Sequence, residues 1–162
     1  MPTSKKPRKK YRPKDVFQDP LAYVLNGFRS LSTVGDEAVK LKIKAYDALN
    51  TLRTGHGKFA HLDQVATALN IADALSLGGE IGKDYSTVIR AGQDALFSMA
   101  ERGAETGRFL FTGPELQATN EAMEVYAAQM DVVTVAELQT ALHCVVQLTN
   151  RGKCRKLRLA AC

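Results

Sequence analysis

Along DYSTVIRAGQDALFSMAER, residues 84–102, apolar positions return every three or four residues. Tyr85, Val88, Ile89, Gly92, Ala95, Leu96 and Met99 share one side, and Arg90, Gln93, Asp94 and Glu101 lie on the other. That spacing predicts an amphipathic helix with a face to bury, the core helix around which the rest of the chain is built. Gly92 falls inside the stripe, where Gly costs a helix about 1 kcal/mol relative to Ala. A close crossing by a neighbouring helix is therefore expected at that point.

Similar stripes fill most of the remaining chain. Asp19 reads as the cap of a helix with Pro20 in its first turn and Leu21, Val24, Leu25, Phe28 and Leu31 as its buried stripe. After a turn at Ser32–Gly35, a second helix is expected from Asp36 to Arg53, burying Ala38, Leu41, Ala45, Ala48 and Leu52. Lys40, Lys42 and Lys44 near its start oppose the helix dipole and read as solvated or partner-facing. The glycine-flanked break TGHGK, residues 54–58, precedes a third helix marked by Leu62, Val65, Ala66, Leu69, Ala72 and Leu75 and stopped by Gly78-Gly79. Asp84 is the expected cap of the central helix, which runs to Thr106 with Gly107 as its stop. Phe109, Leu110 and Phe111 read as an apolar link inserted into the core.

Thr112 and Glu115, with Pro114 between them, form a capping-box pattern opening a fifth helix striped by Leu116, Thr119, Met123, Tyr126 and Met130. A turn at Asp131–Val133 leads to a second capping box, Thr134 and Glu137, and a sixth helix burying Val135, Leu138, Leu142, Val145 and Val146 up to Gly152. No strand-type alternation is long enough to seat a sheet. The expected fold is all-α: a single-domain antiparallel bundle of five or six amphipathic helices over residues 15–150, with basic flexible tails at 1–14 and 151–162. At 162 residues the chain fits one domain, and a domain near 150 residues buries about 70% of its unfolded surface.

Charge changes the picture more than composition does. Twelve of the 22 Lys and Arg lie in the tails: Lys5, Lys6, Arg8, Lys9, Lys10, Arg12 and Lys14 at one end, and Arg151, Lys153, Arg155, Lys156 and Arg158 at the other. Residues 15–150 hold ten basic against all 17 acidic residues, so an acidic body carries two basic arms. Residues 1–14, with three prolines and no carboxylate, cannot build a core and are expected to be disordered when unbound. Such arms suit phosphates, which need charge and reach rather than fixed geometry. KKPRKK also fits a nuclear-import patch in a eukaryote, and a tail that only aids solubility or folds back on its own acidic helices is the plainer alternative.

Catalytic and metal signatures are missing from the pattern. His56, His61, His143 and the three cysteines show no ligand spacing, and no Glu-x-x-His pair marks a di-iron bundle. Cys144 follows His143 directly, about 100° away round a helix, so the two cannot form a nucleophile and base; Cys144 reads as core. Cys154 and Cys162 sit among cations that would lower a thiol pKa and let them react with oxidants, but a passive pair of tail cysteines is the preferred reading. Gly78, Gly79, Gly82 and Lys83 lack the spacing of a phosphate loop. Residues 61–79 approach a helix-turn-helix around Asn70-Ile71, but unbroken periodicity through Leu75 favours one straight helix. No apolar run suits a signal peptide or a membrane span, and three cysteines outside any dense framework fit a reducing cytoplasm.

From about Gly82 to Leu138, IRAGQDALFSMAERG followed by FTGPELQATNEAMEVYAAQMDVVTVAEL resembles small uncharacterised helical proteins carried by phages and mobile elements of proteobacteria, and the opening KKYRPK is similar as well. The resemblance implies a setting, the cytoplasm of a bacterial host, and brings no activity, cofactor or site residue with it. The expected function is non-enzymatic, non-specific nucleic-acid binding through the two basic arms, as a phage accessory factor with no cofactor and no membrane contact. The alternative is an adaptor or inhibitor that occupies a host protein through an acidic helical face including Glu101, Glu105, Glu121 and Glu124. A small-molecule-binding bundle ranks third, and homo-oligomers are allowed but not required.

Overall fold

Gly and Pro mark most of the element boundaries, and the Thr134 cap marks the one between the last two helices. The computed structural model describes residues 36–78 and 81–152, which form five packed α-helices: α1 (Asp36–Arg53), α2 (Phe59–Gly78), α3 (Ser86–Thr106), α4 (Gly113–Val132) and α5 (Val135–Asn150). A single 3-10 turn, Lys83–Tyr85, leads into α3. No strand is present among the described residues; one isolated antiparallel bridge joins Gly57 to Phe109. The helix expected at residues 19–31 and all of residues 1–14 lie outside the described residues, as do residues 153–162.

Two helix starts follow the capping patterns. The Thr112 N–H donates to Glu115 Oε2 at 2.8 Å at the start of α4, and the Thr134 N–H donates to Glu137 Oε2 at 2.9 Å at the start of α5. Each bond satisfies a donor that a helix N-terminus leaves open. Gly107 ends α3 in the left-handed region at φ 72°, where glycine carries no Cβ penalty, and its N–H donates to Gly103 O. At the other end of α3 the expectation fails. Asp84 lies inside the 3-10 turn and does not cap α3, whose N-cap is Tyr85 without a side-chain cap bond. The tighter turn fills the place where a cap was expected.

The core is made by Leu49, Leu52, Val65, Leu69, Leu75, Ile89, Met99, Met123, Tyr126 and Met130 with smaller neighbours, all buried. α2 packs against each of the other four helices, so it, rather than α3, is the axis of the body. This explains why α2 is apolar on more than one side. α3 and α4 form the most extensive pairing, and the expected close crossing is present: a Cβ on Gly92 would overlap Ala122 Cβ and approach Ala118 O at 3.1 Å. Towards the end of α3 and the start of α4, Arg102 makes a two-pronged ion pair with Glu115 at 2.8 and 2.6 Å. That pair, with help from Thr112, pulls the Glu115 carboxyl down to about 2.

Several stripe positions differ from expectation. Leu41, Leu142 and Val146 are exposed, as is Tyr85, while Ala141 takes the buried place on α5. α5 packs mainly on α2, so one contact line covers it and the rest of its apolar face stays open. Cys144 is exposed, not core. Lys42, expected to be solvated or partner-facing, pairs with Asp131 at the end of α4. α4 continues to Val132, through the start of the expected turn. In the link, Phe109 and Phe111 pack against the core, whereas Leu110 is exposed.

Candidate functional site: a groove between three helices

Three helices leave a groove between them because α5 meets α2 along one line and does not close onto α3. Its floor and walls include Leu62, Ala66 and Leu77 of α2, Leu96 and Phe97 of α3, and Leu148 of α5, and its volume is about 1290 Å³. Small-molecule pockets occupy roughly 300–1,000 Å³, so the groove is larger than a single compact ligand needs. The lining is predominantly apolar. Its charged members are carboxylates, Asp63, Asp73 and Glu137, with no Lys or Arg among the described residues lining it. Arg90 Nε stands 3.6 Å from Asp73 Oδ1, a buried oxygen that accepts no hydrogen bond from the described residues, and Glu137 is fixed by the α5 cap. Gln93 bridges the floor by donating to Asn70 Oδ1 at 3.0 Å. Cys144 presents its thiol on the α5 wall.

A second, smaller hollow lies between α3, α4 and the 81–85 segment. Tyr85, Val88, Val125 and Val132 line it, Glu121 and Glu124 stand at it, and its volume is about 580 Å³. Behind it, Gln129 is 2% exposed and its Nε2 donates to Ala72 O at 3.1 Å, Ser76 Oγ at 3.0 Å and Ile81 O at 2.7 Å. This ties the segment after α2 to the end of α4.

Of the twelve cations assigned to nucleic acid, the described residues include only Arg151, which is exposed just after α5. Lys5, Lys6, Arg8, Lys9, Lys10, Arg12, Lys14, Lys153, Arg155, Lys156 and Arg158 lie outside them. The acidic-face residues are all exposed but do not form one patch. Glu101 and Glu105 belong to the end of α3 where Arg102 meets Glu115, whereas Glu121 and Glu124 flank Ala122, which meets Gly92. Among the described residues, no group of three or more His, Cys, Asp or Glu side chains could hold a metal, and no helix is long and apolar enough to cross a membrane. His56 approaches Thr54 Oγ1 at 3.3 Å in the loop after α1, and His61, in the first turn of α2, accepts from the Lys58 N–H at 3.0 Å. The helix-turn-helix alternative gives way to an uninterrupted α2.

No protein-family model matches the chain, and no curated protein and no solved structure is significantly similar to it. Sequence reasoning missed the groove because the apolar positions lining it sit within the same helices as the core positions. A signal was present in α2, whose Ala66, Ala74 and Leu77 extend the apolar surface beyond the face needed for one neighbour.

Proposed function

We propose that the chain is a non-enzymatic accessory protein of phage or mobile-element type that holds nucleic acid non-specifically through its two basic ends, carried by an antiparallel helical bundle. The observation that carries this reading is the segregation of charge: twelve of 22 cations in the terminal segments against ten cations and 17 carboxylates between them. The exposed carboxylates of Glu101, Glu105, Glu121 and Glu124 keep the body off a phosphate backbone, so contact is confined to the ends. If half of the twelve cations met phosphates, log affinity would fall with log salt at a slope of about −5. Retention on heparin and on duplex DNA across a salt series, for the full chain and for residues 15–150 of matched helicity, tests it. The shorter chain should elute near the void at all salts; equal retention of the two would reject the reading.

A second reading is favoured by the hollow beside Glu121 and Glu124, whose apolar lining and carboxylates suit a host-protein segment bearing Lys or Arg. Under it, the protein is an adaptor or inhibitor, and Glu121→Lys with Glu124→Lys abolishes partner binding while leaving DNA retention undiminished.

A further inference from the structure

We propose that the groove between α2, α3 and α5 is the docking site of this chain's own segment Pro20–Leu31, and that docking gathers the two basic ends at one end of the body. The segment carries a helical apolar stripe, Leu21, Val24, Leu25, Phe28 and Leu31, and lies outside the described residues. As a helix its 12 residues extend about 18 Å at 1.5 Å each. The α5 wall, Ala136 to Thr149, extends about 20 Å on the same rise. Length therefore matches.

Reach follows from contacts already described. Lys42 near the start of α1 pairs with Asp131 at the end of α4, and Gln129 joins the end of α4 to Ala72 and Ser76 near the end of α2. The start of α1, the start of α5 and the last turn of α2 thus share one end of the body. From Leu31 to Asp36 the backbone spans up to about 17 Å at 3.3–3.6 Å per residue. That is enough to pass the end of α2, whose helix is about 10–12 Å across with side chains.

Charge points the same way. Pro20–Leu31 contains one charged residue, Arg29, which this direction sets at the end of the groove that holds Asp73 and Glu137, with Asp63 at the far end. Running back from Leu31 along the groove, the segment ends beside Phe59 and Asp63, at the end where α5 delivers Arg151. Lys5–Lys14 then emerge next to Arg151–Arg158, and twelve scattered cations become one patch. This consequence for binding rests on the nucleic-acid reading; the docking itself does not.

Cys144 on the α5 wall provides the test. In the full chain carrying Cys154→Ser and Cys162→Ser, single cysteines are placed at Val24, Leu25 and Phe28 on the apolar side and at Asn26 and Ser30 on the opposite side, and the proteins are oxidised with a mild thiol oxidant. A disulfide requires Cα atoms about 4.4–6.8 Å apart, so docking predicts a monomeric crosslink to Cys144 from at least one apolar-side position, ten-fold or more faster than from Asn26 or Ser30. A second measurement does not depend on crosslinking geometry: Leu25→Asp with Phe28→Asp should raise the rate of Cys144 modification by an aromatic disulfide reagent at least ten-fold. Crosslinks that do not distinguish the two sides, crosslinks confined to dimers, or no crosslink with an unchanged Cys144 rate would each overturn the proposal. DNA retention is scored separately, so loss of DNA binding with docking intact rejects only the nucleic-acid reading.

Discussion

Gly92 of α3 and Ala122 of α4 meet so closely that no side-chain atom fits on the glycine: a Cβ there would overlap the Ala122 Cβ and lie 3.1 Å from Ala118 O. Both obstacles are fixed to the α4 backbone and cannot swing aside. Gly92→Ala gains about 1 kcal/mol of helix propensity but overpacks the crossing, which costs about 1–3 kcal/mol. The expected outcome is a net destabilisation, read as a lower urea midpoint with an unchanged slope. Adding Ala122→Gly to Gly92→Ala should recover part of the loss.

Glu115 makes stability depend on acid. Its hydrogen bonds from Arg102, foremost, and from Thr112 lower its carboxyl from 4.5 to about 2. A carboxyl depressed by folding contributes stability that is present above its unfolded value and is lost as pH falls through the folded one. The thermal midpoint of the full chain should therefore drop between pH 4.5 and pH 2. Glu115→Gln should flatten that part of the profile and cost about 1 kcal/mol at neutral pH through the weakened cap.

Tyr126 sets the opposite limit. It is 1% exposed, and burial, with a smaller contribution from Tyr46, pushes its phenol up to about 12 from 10.0. A phenol raised by folding leaves stability intact below its unfolded value and removes it as pH climbs through the folded one. Between pH 10 and 12, ultraviolet titration should show Tyr126 resisting ionisation while the body stays folded and then ionising together with loss of helicity. Tyr126→Phe should abolish the coupled step without lowering the helical content at pH 7.

Gln129 is the polar pin of the core. Replacing it by Leu keeps volume but removes the donations to Ala72 O, Ser76 Oγ and Ile81 O. The loss costs about 1 kcal/mol, since Ala72 O keeps the Ser76 hydroxyl at 3.0 Å and the substitution also removes Gln129 Oε1, which is buried without a partner among the described residues. The expected result is a lower urea midpoint and faster amide exchange in the 3-10 turn at Lys83–Tyr85, with α1 little affected.

The boundaries of α1, the Gly107 stop and both capping boxes were legible because each rests on local chemistry within a few residues. The Gly92 crossing was legible for a related reason: a glycine in an apolar stripe is locally unfavourable and calls for a tertiary cause. Leu142, Val146 and Cys144 are exposed against expectation because helical periodicity identifies an apolar side without telling how many neighbours cover it. The axial place of α2 was equally hidden, since which helix touches all others depends on long-range packing. Asp84 has the residue type of a cap, yet the 3-10 turn before α3 moves the N-cap one residue on, to Tyr85.

The bridge between Gly57 and Phe109 bears on how the molecule opens. It staples the connection between α1 and α2 to that between α3 and α4, and Phe109 also fills the space over Gly103 where a Cβ would sit. Two helix pairs joined through their connecting segments should melt as a unit, while α5, anchored chiefly along α2, is the element expected to come away first.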